Sequence, residues 1–564
     1  MRYIEVKPIQ SWTDMFYAEI AGSYSLTVSL ADATNTKWSD DSTSAIVTAW
    51  SVAVRSVTKP TISETSFTYS GSAHEPTITG FDSTWMSKSG DESATNAGSY
   101  SLTIALADST NCKWSDDSTA AIVTAWSIAK ATGSISVSPS SLSISGVGET
   151  GTATITKTGD GAVSVGTSDS SVATASISSD TLTVTSAGEG SATVTVTLAD
   201  GDNYLGASCT LSVSVMLAHI YGVSWPKTST TAFSRTDDAA TFTDPVPAVS
   251  GGAGSSPFDN RLPWSGMVKE TIGGNVMVKI PKFWYKWTNA SGSLKLQISN
   301  VAQTGFYVSP AHADRGDGNG ERDYVYIGRY HCDTNYKSTS GAKPKANIKR
   351  SDARTGCKGL GTGYYQLDYA MWWTIRMLYL VEFADWNSQA KIGYGCGDGS
   401  ATHNSGASDS AQYHTGTMQA NRTTYGAGVQ YRFIEDPWGN VFDWCDGIVL
   451  SNNKAYVTNV IANYGESSTN HTKVSDGVSN TNEISGWDVP TTSGLKWALY
   501  PNAQVSNNNY DTYCADRVYV GSTSVVVYVG GSYGQARGFG MFCTYGSTAS
   551  YTAASIGARL QYLP

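Results

Sequence analysis

Oxygen-bearing side chains alternate with glycines in one loop of this chain, DRGDGNGERD at residues 314–323. Asp317, Asn319 and Glu321 stand at every second position there, and Ca²⁺ accepts carboxylate and amide oxygens as ligands. The pattern therefore makes these three residues a weak calcium candidate. A solvated turn explains the same composition and is the interpretation we adopt, so we expect the protein to need no cofactor.

Sulfur and imidazole ligands are sparse. The chain has eight Cys and seven His, and no two cysteines form a Cys-x-x-Cys pair. Disulfide scaffolds and structural zinc sites both require denser and more regularly spaced ligands. We therefore expect buried free thiols rather than a redox or zinc centre.

The segment VGGSYGQARGFGMFCTYGSTASYTAASIGARLQYLP, residues 529–564, has the composition of a binding surface. Its middle part is rich in Tyr, Ser, Thr, Gly, Phe and Arg and shows neither a helical nor a strand period. Antibody-type binding loops use this mixture, in which rigid aromatics supply contact area and small polar residues supply adaptable hydrogen bonds. The segment predicts a protein that binds a partner.

Length and charge narrow the class of protein. A chain of 564 residues predicts about three to five domains. Charged residues make up 15% of the chain, against about 25% in an average globular domain, which is typical of extracellular β-rich modules. The net charge of −10 argues against nucleic-acid binding, and no apolar run is long enough for membrane insertion.

The opening residues, MRYIEVKPIQSWTDMFY, lack the continuous apolar stretch of a secretory signal. An extracellular type of surface without an export signal fits a virion component that is released by lysis. We therefore expect a virion location, on the tail or the capsid exterior, with the bacterial cell surface as the alternative.

An internal repeat organises the N-terminal third. Residues 22–50 recur as residues 98–126 with five mild substitutions, and the alternation in Tyr-Ser-Leu-Thr-Ile-Ala-Leu predicts half-buried strands. Residues 1–21 do not match the segment before Gly98. We therefore predict a partial β module over residues 1–55 and a second β module over residues 56–131.

A different module follows at residues 132–216. Strands of five to seven residues recur every 8–12 residues between Gly, Ser and Asp turns, which is the cadence of an immunoglobulin-like sandwich. The run SVATAS and the run DTLTVTSAGEGSATVTV resemble the bacterial Ig-like group 2 family. Modules of this family imply spacing or adhesion rather than catalysis.

In the remaining chain the sequence predicts a connector followed by a large C-terminal domain, which we call the head. Residues 217–270 are rich in Thr, Ser, Pro and Gly and predict an irregular connector, and residues 271–564 predict a large-core domain. Within that domain, Val276 to Trp287 predicts a strand. Leu367 to Trp386 predicts a helix packed into the core.

Four motifs follow one another in this domain. They are KIPKFWYKW at 279–287, VYIGRYHCD at 325–333, DPWGNVFDWCDG at 436–447, and VGGSYGQ with IGARL at 529–560. In this order they resemble the formylglycine-generating-enzyme and sulfatase-modifying-factor branch of the C-type lectin fold. The third contains Gly-Asn-Val-Phe-Asp-Trp where that family has Gly-Asn-Val-Trp-Glu-Trp, and the fourth joins a Gly-Gly-Ser-aromatic turn to an Ile-Gly-x-Arg strand. The resemblance implies a C-type lectin-like α+β domain over the second half of the chain.

The catalytic residues of that family do not carry over. Its oxidase has two cysteines set five apart after the Gly-Gly-Ser-aromatic turn, and the matching positions here are Gln535 and Gly540. Cys543 has no partner at that spacing, so we expect no enzyme activity. The Asp-Pro-Trp at 436–438 is also a poor substitute for the sugar-binding triplet of calcium lectins.

A further branch of this fold, whose C-terminal segment is varied by diversity-generating retroelements, is similar in another way. Such elements convert Asn codons to Tyr, Ser, Thr, Asp, Gly, Phe or Arg codons, and segment 519–555 has this composition. Gln535 and Met541 cannot arise from that codon change and would be fixed, as would Gly530–Ser532 and Ile556–Leu560. An ordinary loop rich in Ser and Tyr remains the alternative. The candidate ligand-binding positions are Tyr533, Arg537, Phe539, Tyr545, Ser547, Thr548, Ser550 and Tyr551.

The sequence therefore predicts a mostly β multidomain protein, in which tandem Ig-like β-sandwich modules precede a C-type lectin-like α+β domain. The expected function is that of a phage tail-associated receptor-binding protein that recognises a protein or glycan on a bacterial host. Expected partners also include other tail proteins and further copies of the chain, commonly as a trimer. The alternatives are a bacterial surface adhesin, a structural virion decoration protein and, with least support, a sulfatase-modifying enzyme.

Overall fold

The computed structural model describes residues 20–399, 401–479, 482–506 and 509–564. The chain divides into two compact units, Met1–Leu217 and Ala218–Pro564. The start of the predicted partial module, residues 1–19, lies outside the described residues. Strands dominate both units, which confirms the mostly β prediction. None of the helices in the described part of the chain has the length and apolarity to cross a membrane.

The described part of the N-terminal unit is built from strands alone, since its sequence alternates small polar and branched apolar residues with few helix formers. In chain order the strands are β1 (Gly22–Val28), β2 (Ile46–Val52), β3 (Arg55–Val57), β4 (Thr61–Ser63), β5 (Ser66–Thr68), β6 (Thr77–Thr79), β7 (Met86–Gly90), β8 (Gly98–Leu106), β9 (Cys112–Trp114), β10 (Ile122–Ala129), β11 (Ala131–Thr132), β12 (Ser134–Ser138), β13 (Ser141–Ser145), β14 (Thr150–Thr158), β15 (Val163–Thr167), β16 (Ala173–Ser178), β17 (Thr181–Ser186), β18 (Gly190–Leu198), β19 (Tyr204–Leu205) and β20 (Ala207–Met216).

Residues 134–216 form a β-sandwich. One sheet has the strand order β12-β14-β17-β16 and the other β13-β20-β18-β15. Every second residue of β18 is buried, among them Val194 and Val196, and packs with Leu182 and Leu211 in one apolar core. The period-two pattern of the sequence thus places the alternating valines inside and the threonines outside.

The two repeat copies differ in what covers them. In the second copy, β8 and β10 lie in a sheet of order β5-β10-β8-β7, and Ile104 is fully buried. In the first copy, β1 pairs with β2 in a two-stranded sheet, and the matching Val28 is 45% exposed. The local turns are the same in both copies, because Asp32 and Asp108 each accept bonds from the backbone amides two and three residues later.

The C-terminal unit combines helices with strands. Its strands are β21 (Ile220–Trp225), β22 (Ser234–Asp237), β23 (Val268–Ile272), β24 (Asn275–Pro281), β25 (Trp284–Ala290), β26 (Ser293–Ser299), β27 (Tyr307–Val308), β28 (Tyr324–His331), β29 (Tyr364–Gln366), β30 (Gly416–Thr417), β31 (Val429–Tyr431), β32 (Ile434–Glu435), β33 (Phe442–Ser451), β34 (Lys454–Val457), β35 (Thr472–Ser475), β36 (Asn482–Asp488), β37 (Tyr500–Val505), β38 (Arg517–Tyr519), β39 (Val526–Val529), β40 (Thr544–Ser547), β41 (Ile556–Gly557) and β42 (Arg559–Tyr562). The helices are α1 (Arg350–Lys358), α2 (Tyr369–Phe383) and α3 (Ser388–Ile392), with short 3-10 turns at Trp264–Gly266 and Ile461–Asn463.

The predicted connector, residues 217–270, is not irregular throughout. β21 pairs with β22 and with β26, and its Tyr221, Val223 and Trp225 are buried in the core of the C-terminal unit. The residues Ile-Tyr-Gly-Val-Ser-Trp form this strand. They lie in a stretch rich in Ser and Thr, so the composition of the whole stretch did not indicate a strand. The segment therefore belongs to the head rather than linking to it.

Helix α2 confirms the predicted core helix and lies at the centre of the head. Asp368 caps its first turn by accepting a 2.8 Å bond from the backbone amide of Met371, and Ala384 ends it in a left-handed conformation. All residues of the helix are buried, including Arg376 and Glu382. A helix buried on every side packs against structure all around it, so the sheets and loops of the unit enclose α2.

Candidate functional site

A buried ion pair joins the third and fourth sequence motifs. Asp443 on β33 accepts a 2.9 Å bond from Nε of Arg559 on β42 and lies 3.0 Å from Nδ1 of His331 at the end of β28. Arg559 also donates to the backbone oxygens of Glu435 and Asp436 at 3.0 and 2.8 Å. The Asp of the Gly-Asn-Val-Phe-Asp-Trp motif and the Arg of the Ile-Gly-x-Arg motif are thus partners in one network.

The charges of this network are fixed by their neighbours. Burial alone would raise the pKa of Asp443, but Arg559 and then His331 lower it below its ordinary value. Burial lowers the pKa of His331. The network is closed to solvent and satisfied internally, so it holds three strands together rather than offering a reactive group.

The turn at Gly439 and Asn440 positions the candidate binding segment. Both residues have positive φ, and the backbone oxygen of Asn440 accepts a 3.0 Å bond from the amide of Tyr533. The amide of Asn440 donates to the oxygen of Cys396 at 2.9 Å, and a side chain at position 439 would collide with the Cys396 backbone. The close approach explains why glycine stands there.

The Gly-Gly-Ser-aromatic turn is closed by Gln535. Its side-chain oxygen accepts bonds from the backbone amide and the hydroxyl of Ser532 at 3.2 and 2.7 Å. The backbone oxygens of Tyr533 and Gln535 in turn accept bonds from the amides of Gly399 and Asp398. Gln535 therefore fills a structural role at the position where the resembling oxidases carry a cysteine.

The second such position has no room for any side chain. A Cβ on Gly540 would collide with the hydroxyl of Ser388 and lie 2.9 Å from the carboxylate of Asp516. Cys543 is fully buried, and burial raises the pKa of its thiol well above the ordinary value. Burial therefore disfavours the thiolate form of Cys543 at this turn.

Buried side chains replace sheet partners for the irregular loop 538–542. The side-chain oxygen of Gln389 accepts from the amides of Gly538 and Phe539 at 2.9 and 3.3 Å. Asp516 accepts from the amides of Gly540 and Phe542 at 2.8 and 2.7 Å. The hydroxyl of Ser388 accepts from the amide of Met541 at 3.0 Å. The loop lacks regular structure, but buried side chains accept hydrogen bonds from each of its backbone amides.

Asp516 also has a raised pKa. Burial raises its pKa to about 6, although the two loop amides and Arg376 favour the charged form. The pKa of this carboxyl group therefore lies well above its ordinary value of 3.8. Because it clasps the loop through its oxygens, its charge is coupled to the order of the candidate segment.

Two of the sequence-predicted binding positions point inward. Phe539 is only 9% exposed and its ring lies 5.7 Å from that of Tyr545. This corrects the prediction for Phe539, which packs with Phe442 and Tyr528 in a second core cluster and cannot act as a contact anchor. Tyr545 is half-buried against the same cluster, and burial raises its pKa.

The outward positions gather around the end of β40. Ser547 is half-buried, Thr548 and Ser550 are exposed, and Tyr551 is 41% exposed. Tyr519, which the sequence did not single out, is 39% exposed and stacks on Tyr545 at 5.3 Å. The parallel pairing of β38 with β40 sets Tyr519 opposite Tyr545, and no sequence spacing could reveal that pairing.

Arg537 lies among tyrosines from other loops. Its guanidinium is paired with Asp511 and lies 5.6 Å from the ring of Tyr394 and 5.7 Å from the ring of Tyr510. Tyr394 contacts Tyr425 at 5.0 Å. Three tyrosines from loops distant along the chain therefore meet near the candidate segment, and no motif in the sequence connects them.

The calcium candidate is a self-contained turn. Asp317 pairs with Arg322 and accepts from the amide of Asn319 at 3.4 Å. Burial would raise the pKa of Asp317, but Arg322 lowers it. Glu321 is exposed, and no group of three or more acidic, His or Cys side chains that could hold a metal occurs among the described residues. The guanidinium of Arg322 is thus the positive partner of Asp317 in this turn.

No family model and no curated protein matches this chain. Solved structures match with low scores. The fibronectin(III)-like modules of CbhA from Clostridium thermocellum are 15% identical and cover 28% of this chain and 95% of their own, with a TM-score of 0.14. The titin I-band fragment I67-I69 is 11% identical (43% and 89% covered, TM-score 0.16). Immunoglobulin domains 1–5 of Sidekick-1 are 12% identical (55% and 63% covered, TM-score 0.17). Scores this low assign no fold to either unit.

Proposed function

We propose that the C-terminal unit is the binding head of an adhesin, with a C-type lectin-like fold, and that it recognises a molecule on a bacterial surface. One observation carries the proposal: residues 533–551 join an internally hydrogen-bonded loop to the exposed Tyr551, and the exposed Tyr519 stacks on Tyr545 of the same segment. Gln389, Ser388 and Asp516 bond the backbone of the loop from inside. A pre-organised aromatic surface binds with little loss of conformational entropy.

The N-terminal unit has the character of a spacer in this proposal. Its β-sandwich of residues 134–216, which resembles the Ig-like group 2 family, has an apolar core and no buried charged side chain in the part of the chain that the structure describes. Extended modules of this kind carry a head away from its attachment point. The location we propose is a phage tail or capsid exterior, and a bacterial cell surface is the alternative.

Cell adsorption tests the proposal. Fluorescently labelled protein is added to a panel of intact bacterial strains, and bound cells are counted by flow cytometry. We expect at least one strain to bind, and we expect a variant carrying Tyr519→Ser, Tyr533→Ser and Tyr551→Ser to lose most of that binding while keeping the wild-type melting temperature. Tyr324→Ser, a change of another 40% exposed tyrosine on β28, is the matched control. Equal binding by all three proteins would refute the role of the segment.

The diversified origin of the segment is a separate hypothesis with its own test. A retroelement would leave a near-copy of the segment's coding sequence and a reverse-transcriptase gene close by. Variation among related genomes should then fall on exposed positions such as Thr548, Ser550 and Tyr551 and spare Gln389-bound Phe539. Absence of both elements from the genomic neighbourhood would reject the hypothesis without touching the adhesin proposal.

A further inference from the structure

A cleft of about 510 Å³ opens beside Tyr533. Its walls come from Thr334, residues 343–348, residues 401–402 and the candidate segment at Tyr533 and Ala554, all in the C-terminal unit. This volume lies in the range that accommodates small ligands, roughly 300 to 1,000 Å³. The cleft therefore has the size of a site for one or a few sugar units.

The walls are fixed by the backbone. The amide of Lys345 donates to the oxygen of Cys332 at 2.7 Å, and the amide of Asn347 donates to the oxygen of Ala553 at 3.0 Å. Ala346 forms a bridge with Gly557. Tyr533 is held from the other side by its 3.0 Å bond to the oxygen of Asn440. A ligand would meet a pre-formed surface.

The charge of the cleft is opposite to that of the chain. Lys343 and Lys345 line it, and no carboxylate does among the described residues, although the chain as a whole carries a net charge of −10. The acidic residues that flank these lysines in sequence are engaged elsewhere: Asp333 accepts from the hydroxyl of Thr339 at 2.9 Å and from backbone amides, and Asp352 accepts from the amide of Lys349 at 3.2 Å. The two ammonium groups therefore have no anion of the cleft to neutralise them.

Polar groups in the cleft are left available. Lys345 uses one of its three donors on the oxygen of Thr334 at 2.8 Å and lies 4.5 Å from the ring of Tyr336, so it is oriented but not saturated. Within the described residues, the side chains of Lys343, Asn347, Thr402 and Tyr533 donate to no protein acceptor. The cleft therefore offers ammonium, amide and hydroxyl donors to a polar ligand.

We propose that this cleft binds an anionic glycan, with the acidic group of a sugar between Lys343 and Lys345 and the sugar ring against Tyr533. The shared chemistry is one carboxylate or phosphate attached to a hydroxyl-rich ring, which matches ammonium, amide and hydroxyl donors around an aromatic face. The inference rests on the proposed binding function and names its ligand class.

Soluble sugars test the ligand class on the full chain. Sialyllactose is compared with lactose for the carboxylate, and glucose 6-phosphate with glucose for the phosphate, by isothermal titration and by protein NMR. We expect one charged sugar of the two pairs to bind and its neutral counterpart not to, with affinity that falls as NaCl is raised. Which charged sugar binds identifies the source of the anion. Binding of neither, or equal binding of charged and neutral sugars, would overturn the proposal.

Charge-removing variants locate the site. Lys343→Gln and Lys345→Gln should each weaken binding of the charged sugar about tenfold, because each removes a charge-assisted hydrogen bond. Lys358→Gln removes an exposed lysine outside the cleft and should change nothing. Unchanged affinity in both cleft variants would place the site elsewhere. If these variants adsorb to cells like the wild type while the triple tyrosine variant does not, the adhesin proposal stands and this inference fails.

Discussion

The interior of the N-terminal unit is apolar, whereas charged side chains run through that of the C-terminal unit. Ser186 is the one buried polar residue of the first unit among those described. The second unit buries Arg315, Arg350, Arg376 and Arg559 completely, each among carboxylates or backbone oxygens. The first interior is held by area removed from water, and the second also by fixed geometry between distant strands.

Removal of one buried charge should affect only the second unit. In Arg559→Met, Asp443 keeps a charge without its main partner, and we expect the C-terminal unit to lose about 3–5 kcal/mol. Hydrogen exchange of peptides from β28 and β33 should report the loss, and peptides from residues 134–216 should be unchanged. Arg537→Met, which breaks an exposed pair with Asp511, should cost less than about 1 kcal/mol. Similar losses of stability in Arg559→Met and Arg537→Met would show that the buried ion pair stabilises the unit no more than the exposed one.

Within the N-terminal unit, one substitution made in both repeat copies should have unequal effects. Leu102 is fully buried, and Leu102→Ala should cost about 3 kcal/mol by hydrogen exchange of β8 and β10. Leu26, at the matching position of the first copy, is half-buried, so Leu26→Ala should cost less than about 1 kcal/mol. A comparable loss at both positions would mean that the first hairpin is covered as fully as the second.

The pH dependence that Asp516 contributes should have the opposite sign to that of the carboxylates in the N-terminal turns. Asp516 titrates at about 6 when folded against 3.8 as the ordinary value, so the folded state binds the proton more tightly. Its contribution to stability is therefore greatest below about pH 4 and is lost as pH rises towards 6. Exposed carboxylates of the N-terminal turns, such as Asp160 and Asp169, have lowered pKa values and lose their contribution only as pH falls below 4.

Urea unfolding between pH 3.5 and 7 measures this difference. The stability of the wild type relative to Asp516→Asn should fall between pH 4 and 6 and stay level above pH 7. A difference that is constant over the whole range would show that Asp516 has an ordinary pKa.

The smallest predicted effect is a slight change of the same size in the two repeat copies. Asp32 and Asp108 cap the same turn with the same amide bonds, at 2.9 to 3.1 Å. Asp32→Ala and Asp108→Ala should therefore increase the hydrogen exchange of their own turns slightly and to the same degree. Unequal increases would show that the surroundings, rather than the turn itself, determine its order.

Sequence reasoning succeeded where structure is local. The alternation in β8 and the apolar run of α2 identified a strand and a core helix, because both patterns reflect burial at neighbouring positions. It failed for β21, where one strand is surrounded by turn-forming residues. The composition of a segment does not say which of its neighbours will pair with it.

The candidate site shows the same limit. Composition marked the segment, but it could not separate Phe539, which is buried, from Tyr519, which is exposed. Lys343 and Tyr533 line one cleft although they are far apart in sequence, so no motif could connect them. The register of β38 with β40 sets Tyr519 against Tyr545, and the turn at Asn440 holds the backbone of Tyr533 beside the cleft.

The place of β42 in its sheet has a consequence for synthesis. Residues Arg559–Tyr562 lie between β28 and β29, and Arg559 completes the buried network of β28 and β33. On the ribosome β42 emerges long after β28 and β29, so these two strands have unpaired edges until it does. The head therefore closes in a late step, and a stalled or truncated nascent chain would expose edges that favour aggregation.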